Sequence, residues 1–218
     1  MIAADSVADW FLAALDVAAE VERPYRSWLL EDALPCDVAR AIADLPFAAP
    51  VIGDTQGRRE THNSTRTFFC SENRKAFPVC AAVAEAFQSR RVTQSLAART
   101  GAALSGSSLR IEYCQDSDGF WLEPHTDIGA KLFTMLIYLS ETPQAENWGT
   151  DIYDSDRRHA GSAPGGFNKG LIFVPGNDTW HGVEKRSFAG VRKSIIVNYV
   201  KTEWRSRHEL AYPDRPLG

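Results

Sequence analysis

His125, Asp127, His181, Arg192 and Ser194 are the side chains of this sequence whose types and spacing could do chemistry. The first two stand in the segment WLEPHTDIGAKLFTMLIYLS, residues 121–140. In extended backbone, positions i and i+2 point the same way, so His125 and Asp127 converge while Thr126 turns aside. An imidazole and a carboxylate on one face can supply two ligands to a divalent cation, or simply hydrogen-bond each other. A third candidate, His181, follows the turn residues Pro175-Gly176-Asn177-Asp178 on a second predicted strand. Two histidines and one carboxylate from two strands, with coordination positions left open, suit non-haem Fe(II). The same donors can hold zinc.

The period-two rule also puts Arg192 and Ser194 of VRKSIIVNYV on one strand face. A guanidinium is a rigid fork that matches a carboxylate, and a neighbouring hydroxyl can donate to the same group. The pair is suited to an acid that lies deeper in the fold than the metal.

These residues need strands to carry them. After Gly106 the chain is a series of short β-like runs separated by Gly, Asp, Asn and Pro: SLRIEYC, GFWLEPHTD, KLFTMLIYLS, GTDIYD, KGLIFVPG, TWHGVEK and VRKSIIVNYV. Such spacing predicts a sandwich or barrel. Upstream, apolar residues recur at helical spacing over 6–21 and 34–47. Residues 76–99 read as the longest helix, closed by Gly101. The expected fold class is therefore mainly β with packing helices: a jelly roll, or double-stranded β-helix, over 106–200, with a mainly helical region over 1–105 and a tail over 201–218, all in one domain.

The net charge of −4 offers no field for nucleic acid and no polybasic membrane anchor. Cys36, Cys70, Cys80 and Cys114 form no CxxC pair and are expected to be reduced. The first thirty residues lack a basic start and an uninterrupted apolar run, so the expected location is cytoplasmic. Phe120, Trp121, Phe133, Tyr153 and Trp180 are expected mainly in the core. Arg110 is open between a structural ion pair and a ligand contact, and His62, His159 and His208 are expected at the surface. Asn63, Thr65 and Arg66 form a candidate lid, and the Gly-rich segment 155–169 a loop that could gate the site.

The order and spacing of HTD at 125–127, His181 in WHGV and RKS at 192–194 resemble the Fe(II)- and 2-oxoglutarate-dependent dioxygenases. LRIEYCQDSDGFWLEPHTD followed by LIYLS is most similar to their prolyl-hydroxylase-like branch. The resemblance implies Fe(II) held by His125, Asp127 and His181. It implies 2-oxoglutarate as cosubstrate, bound by Arg192 with help from Ser194, Tyr138 and Tyr113. It also implies O2 as oxidant, ascorbate as a candidate reductant, and a small-molecule or peptidyl substrate oxidised with release of succinate and CO2. NWGTDIYD at 147–154 departs from the Gly-Gly-Glu-like segment of that branch, so prolyl specificity does not carry over. Two other classes stand beside this one: a zinc-dependent hydrolase or isomerase on a cupin-like barrel, which needs no clamp for a dicarboxylate, and a silent binding module.

Overall fold

The computed structural model describes residues 2–52, 54–58 and 66–218. Its first helix, α1, spans Ala4–Asp16, and its apolar stripe, Val7, Phe11 and Leu15, is fully buried. The predicted continuation to residue 21 is instead a short strand, β1 (Ala19–Val21), which pairs antiparallel with β2 (Ser27–Leu30). Helix α2 covers Cys36–Ala43.

The helix expected over 76–99 is three helices: α3 (Ser71–Ala76), α4 (Pro78–Gln88) and α5 (Arg90–Thr100). Pro78 drives Phe77 into extended backbone and so separates the first two. At Ser89 the backbone again turns extended, and its hydroxyl and N–H both bond back to the Ala86 carbonyl, which ends α4. Gly101 adopts the left-handed conformation and closes α5.

The remaining strands are β3 (Thr67–Phe68), β4 (Ser108–Asp116), β5 (Leu122–His125), β6 (Lys131–Tyr138), β7 (Asp151–Tyr153), β8 (His159–Ser162), β9 (Gly170–Phe173), β10 (His181–Val183) and β11 (Arg192–Val200). Two antiparallel sheets result: a seven-stranded one in the order β1-β2-β9-β6-β11-β4-β3 and a four-stranded one in the order β5-β10-β7-β8. The region expected to be helical thus contributes β1, β2 and β3 to the larger sheet, because their edges complete its hydrogen bonding on both sides.

Alternation along the strands of the larger sheet separates scaffold from cavity. Leu109, Ile111 and Tyr113 of β4, Phe133, Met135 and Ile137 of β6, and Ile195, Val197 and Tyr199 of β11 join α1, α2, α4 and α5 in one apolar core. The opposite face carries Arg110, Glu112 and Asp116 of β4, Thr134, Leu136 and Tyr138 of β6, and Arg192, Ser194, Ile196 and Asn198 of β11. The segment 201–218 is no loose tail: Leu210, Ala211 and Leu217 are buried, and the N–H groups of Ala211 and Leu217 donate to the carbonyls of Leu109 and Ser107. All four cysteines are free thiols. No helix among the described residues is long and apolar enough to cross a membrane.

The Gly-rich segment after Tyr153 is partly ordered by secondary structure and a buried side chain. Residues His159–Ser162 of it form β8, and Asn168, 2% exposed, uses its side chain to accept from the Leu34 N–H and donate to the Leu34 carbonyl. Gly149 passes so close to this segment that an added Cβ would lie 1.7 Å from the Ala163 carbonyl oxygen. That contact explains a glycine in NWGTDIYD.

Candidate metal and cosubstrate site

His125 and His181 meet across the smaller sheet, because β5 and β10 pair with these two residues in register. Their rings lie 4.5 Å apart between centroids. His125 Nδ1 is 2.8 Å from the Glu123 carbonyl oxygen, and His181 Nδ1 is 2.9 Å from that of Thr179. A carbonyl can only accept, so each Nδ1 carries the hydrogen and each Nε2 presents a lone pair. This is how ligating imidazoles are oriented. Burial pushes the His181 pKa down to about 4, an effect that Asp127 only partly offsets, so the ring is neutral near pH 7.

β5 ends at His125, and Asp127 lies just beyond it. The two side chains therefore reach the cavity from the strand end and the irregular segment after it, and Thr126, expected to face away, also lines the cavity. Asp127 Oδ2 accepts from the Thr134 hydroxyl at 2.6 Å, and Oδ1 is 2.5 Å from the Lys131 ammonium. Burial works to raise its pKa, but Lys131, His181 and Thr134 outweigh this and hold it at about 2.

Both histidines and Asp127 line a cavity of about 420 Å³ together with Thr150, Leu136, Ile196 and Arg192. Arg192, 2% exposed, donates from Nη1 to Asp116 Oδ2 and from Nε to the Trp148 carbonyl, both at 2.5 Å. Its Nη2 and the hydroxyl of Ser194, fully buried beside it on β11, have no hydrogen-bond partner among the described residues. Two buried donors without acceptors are costly unless a ligand satisfies them. The Tyr138 ring lies 5.6 Å from the Arg192 guanidinium, but its hydroxyl donates to Thr150 Oγ1 and accepts from the Thr150 N–H. Tyr138 thus stands beside the pair with its donor already engaged.

Tyr113 does not join this group. On β4 it faces the helices, its hydroxyl donating to the Ala43 carbonyl at 3.2 Å, because the sheet's alternation gives the cavity face to Glu112 and Asp116 instead. Arg110 is a structural ion-pair residue, bonded to Glu112 at 2.9 Å and Glu209 at 2.6 Å. Phe120, Phe133 and Tyr153 are buried, as expected of core aromatics, whereas Trp121 and Trp180 are only partly buried. Of the candidate lid, Asn63 and Thr65, and also His62, lie outside the described residues; Arg66 lines the cavity and grips Glu112 through two donors, at 2.6 and 2.8 Å.

Sequence reasoning missed three features. Asp116 opposes Arg192 in the β4–β11 register, a pairing that only tertiary structure sets. Thr134 and Lys131 hold the two oxygens of Asp127; their spacing from it, at i+7 and i+4 across a turn, has no strand or helix pattern. The third is a group formed by Asp151, His159 and Glu184, whose donor atoms lie within 4.8 Å of one another, a compactness that His125, Asp127 and His181 do not reach.

That compact group could hold a cation, but its chemistry favours an ion-pair hub. Asp151 accepts from the Ser162 hydroxyl and, on its other oxygen, from the Glu184 N–H, both at 2.6 Å, and Arg186 forms a short ion pair with that second oxygen. None of the three lines the cavity. Burial works to raise the Asp151 pKa, yet these donors lower it below the ordinary value of 3.8. A carboxylate whose folded pKa is depressed stabilises the fold above its unfolded pKa, and the contribution is lost as pH falls through the folded value. We expect Asp151→Asn to cost about 1–3 kcal/mol at pH 7 and to flatten the acid limb of the stability curve, measured by urea unfolding between pH 3 and 6. A chelator-sensitive stability in the unsubstituted protein would assign the cluster to a metal instead.

No family model matches the chain, and no curated protein does. Solved structures do. A Pseudomonas putida prolyl-4-hydroxylase shares 13% identity over 88% of this chain and 94% of its own, with a TM-score of 0.56. A prolyl hydroxylase from Trichoplax adhaerens, solved with a hypoxia inducible factor oxygen degradation domain peptide, shares 13% over 91% of each chain at 0.55. A 2OG-Fe(II) oxygenase family oxidoreductase from Burkholderia pseudomallei shares 14% over 87% and 89% at 0.54. The fold of this chain, two antiparallel sheets backed by helices around a cavity, is therefore the fold of the prolyl hydroxylases and 2OG-Fe(II) oxygenases.

Proposed function

We propose that the protein is an Fe(II)- and 2-oxoglutarate-dependent oxygenase acting on a small-molecule or peptidyl substrate, with its two sheets forming a double-stranded β-helix within one domain. His125, Asp127 and His181 would hold the iron, and Arg192 with Ser194 the distal carboxylate of 2-oxoglutarate. The observation that carries this reading is the pair of buried donors Arg192 Nη2 and Ser194 Oγ, which have no partner among the described residues, with Arg192 lining the cavity that His125 and His181 also line.

When bound, the iron with 2-oxoglutarate and oxygen supplies an oxidant able to take hydrogen from a C–H bond, with succinate and CO2 released. The chain's own part is positional. The Glu123 and Thr179 carbonyls fix the tautomer and direction of the two rings. Thr134 holds one oxygen of Asp127, and the other, now against the Lys131 ammonium, is the one that would face a cation. Arg192 is itself fixed by Asp116 and Trp148, so the orientation of a bound acid needs little further ordering. Leu136, Ile196 and Val183 give the cavity apolar wall that excludes water.

The test is an anaerobic titration with Fe(II) and 2-oxoglutarate, followed by the visible charge-transfer band of a chelated 2-oxo acid. We expect a band in the unsubstituted protein and none in Asp127→Ala, which should keep its fold because the strands are held by their own ladders. Tight zinc binding with no band in Fe(II) would move the protein to the hydrolase class.

A further inference from the structure

We propose that Lys131 anchors a free carboxylate of the primary substrate beside the metal, so that the substrate is a small carboxylic acid rather than an internal residue of a protein chain. This rests on the reading of the site given above. Lys131 opens β6, lines the cavity and keeps its side chain only 20% exposed. Its ionic partner among the described residues is Asp127 Oδ1, while Oδ2 is held by Thr134.

The oxygen left to face a divalent cation is therefore the one the ammonium now occupies. A cation bound there would take over the carboxylate's charge and repel the ammonium. Lys131, a cavity-lining residue only 20% exposed, would then need another anion, since a partly buried charge without a partner is unfavourable. The other two carboxylates lining the cavity, Glu112 and Glu123, are poorly placed to serve. Glu112 is already gripped by Arg66 and Arg110, and Glu123 lies on the exposed rim, 3.8 Å from Arg58. A ligand carboxylate is what remains. The volume of about 420 Å³ lies toward the lower end of the range for small-ligand sites and must also hold the cosubstrate, which favours a small molecule.

Two carboxylates could answer this description: the substrate's, or the one next to the keto group of 2-oxoglutarate. The experiment separates them. Protein loaded with Mn(II) and 2-oxoglutarate is screened by ligand line broadening against N-acetyl-L-amino acids and the matching N-acetyl-L-amino acid amides, and the 2-oxoglutarate Kd is measured in parallel. We expect acids to bind at least about tenfold more tightly than their amides, Lys131→Met to erase that preference, and the variant's 2-oxoglutarate Kd to stay within about twofold. A Kd raised tenfold with no acid preference in either protein would assign Lys131 to the cosubstrate and overturn the proposal. Equal binding of acids and amides with an unchanged Kd would overturn it as well. Loss of 2-oxoglutarate binding from the unsubstituted protein would instead remove the underlying reading of the site.

Discussion

Arg192→Lys is expected to raise the 2-oxoglutarate Kd by about ten- to a hundredfold, equivalent to roughly 1.4–2.8 kcal/mol. The guanidinium points in three directions: Nη1 meets Asp116, Nε meets the Trp148 carbonyl, and Nη2, without a partner among the described residues, is the donor proposed to meet the acid. An ammonium has three donors on one atom and cannot reproduce that planar fork. Lysine keeps the charge opposite Asp116, which avoids the heavier penalty of a buried carboxylate left alone. The variant should therefore fold, and the loss should appear in binding. Ser194→Ala should lose less, a few-fold, because it removes one neutral donor. An unchanged Kd in both variants, measured by the anaerobic charge-transfer titration, would show that the acid binds elsewhere.

Arg110→Met is the change expected to cost most in stability, about 3–5 kcal/mol. Arg110 is 1% exposed and serves Glu112, Glu209 and the Asn198 side-chain oxygen together. Its removal leaves Glu209 and Asn198 buried with a lost partner, while Arg66 still holds Glu112. For a chain of this length the corresponding fall in Tm is about 10 °C, readable by calorimetry. Asp127, the proposed metal ligand, should feel it too, since Asn198 donates to Thr134 at 2.9 Å and Thr134 donates to Asp127. A loss under about 1 kcal/mol would mean that water or protonation replaces the guanidinium without difficulty.

Period-two alternation was enough to place Arg192 and Ser194 on one face, because β11 is a regular strand over its whole length. The pairing of His125 with His181 was accessible only as a guess, since register between distant strands is set by packing and not by either local segment. The same limit hid the Asp116 partner of Arg192. Tyr113 went to the helix side for a reason the sequence does contain: it is an odd number of positions from Asp116 and Glu112, so it cannot share their face. Helix breaks at Phe77 and Ser89 depend on one proline and one backbone turn, and the proline was the legible half. Residues 201–218 carry few apolar side chains, and their burial arises from main-chain bonds to 107–109 that no periodicity announces.

The interleaving of β11 has a practical consequence for anyone wishing to change what the cavity accepts. Along this strand, alternate positions belong to different tasks: Ile195, Val197 and Tyr199 knit the sheet to the helices, while Ile196 between them faces the cavity with Leu136 of the neighbouring strand. Ile196 and Leu136 are also direct cross-strand partners. A two-site combinatorial library at these positions would reshape one patch of wall without disturbing the helical packing or any charged group. The scaffold thus leaves a small region in which new selectivity can be sought while the rest of the chain is held constant.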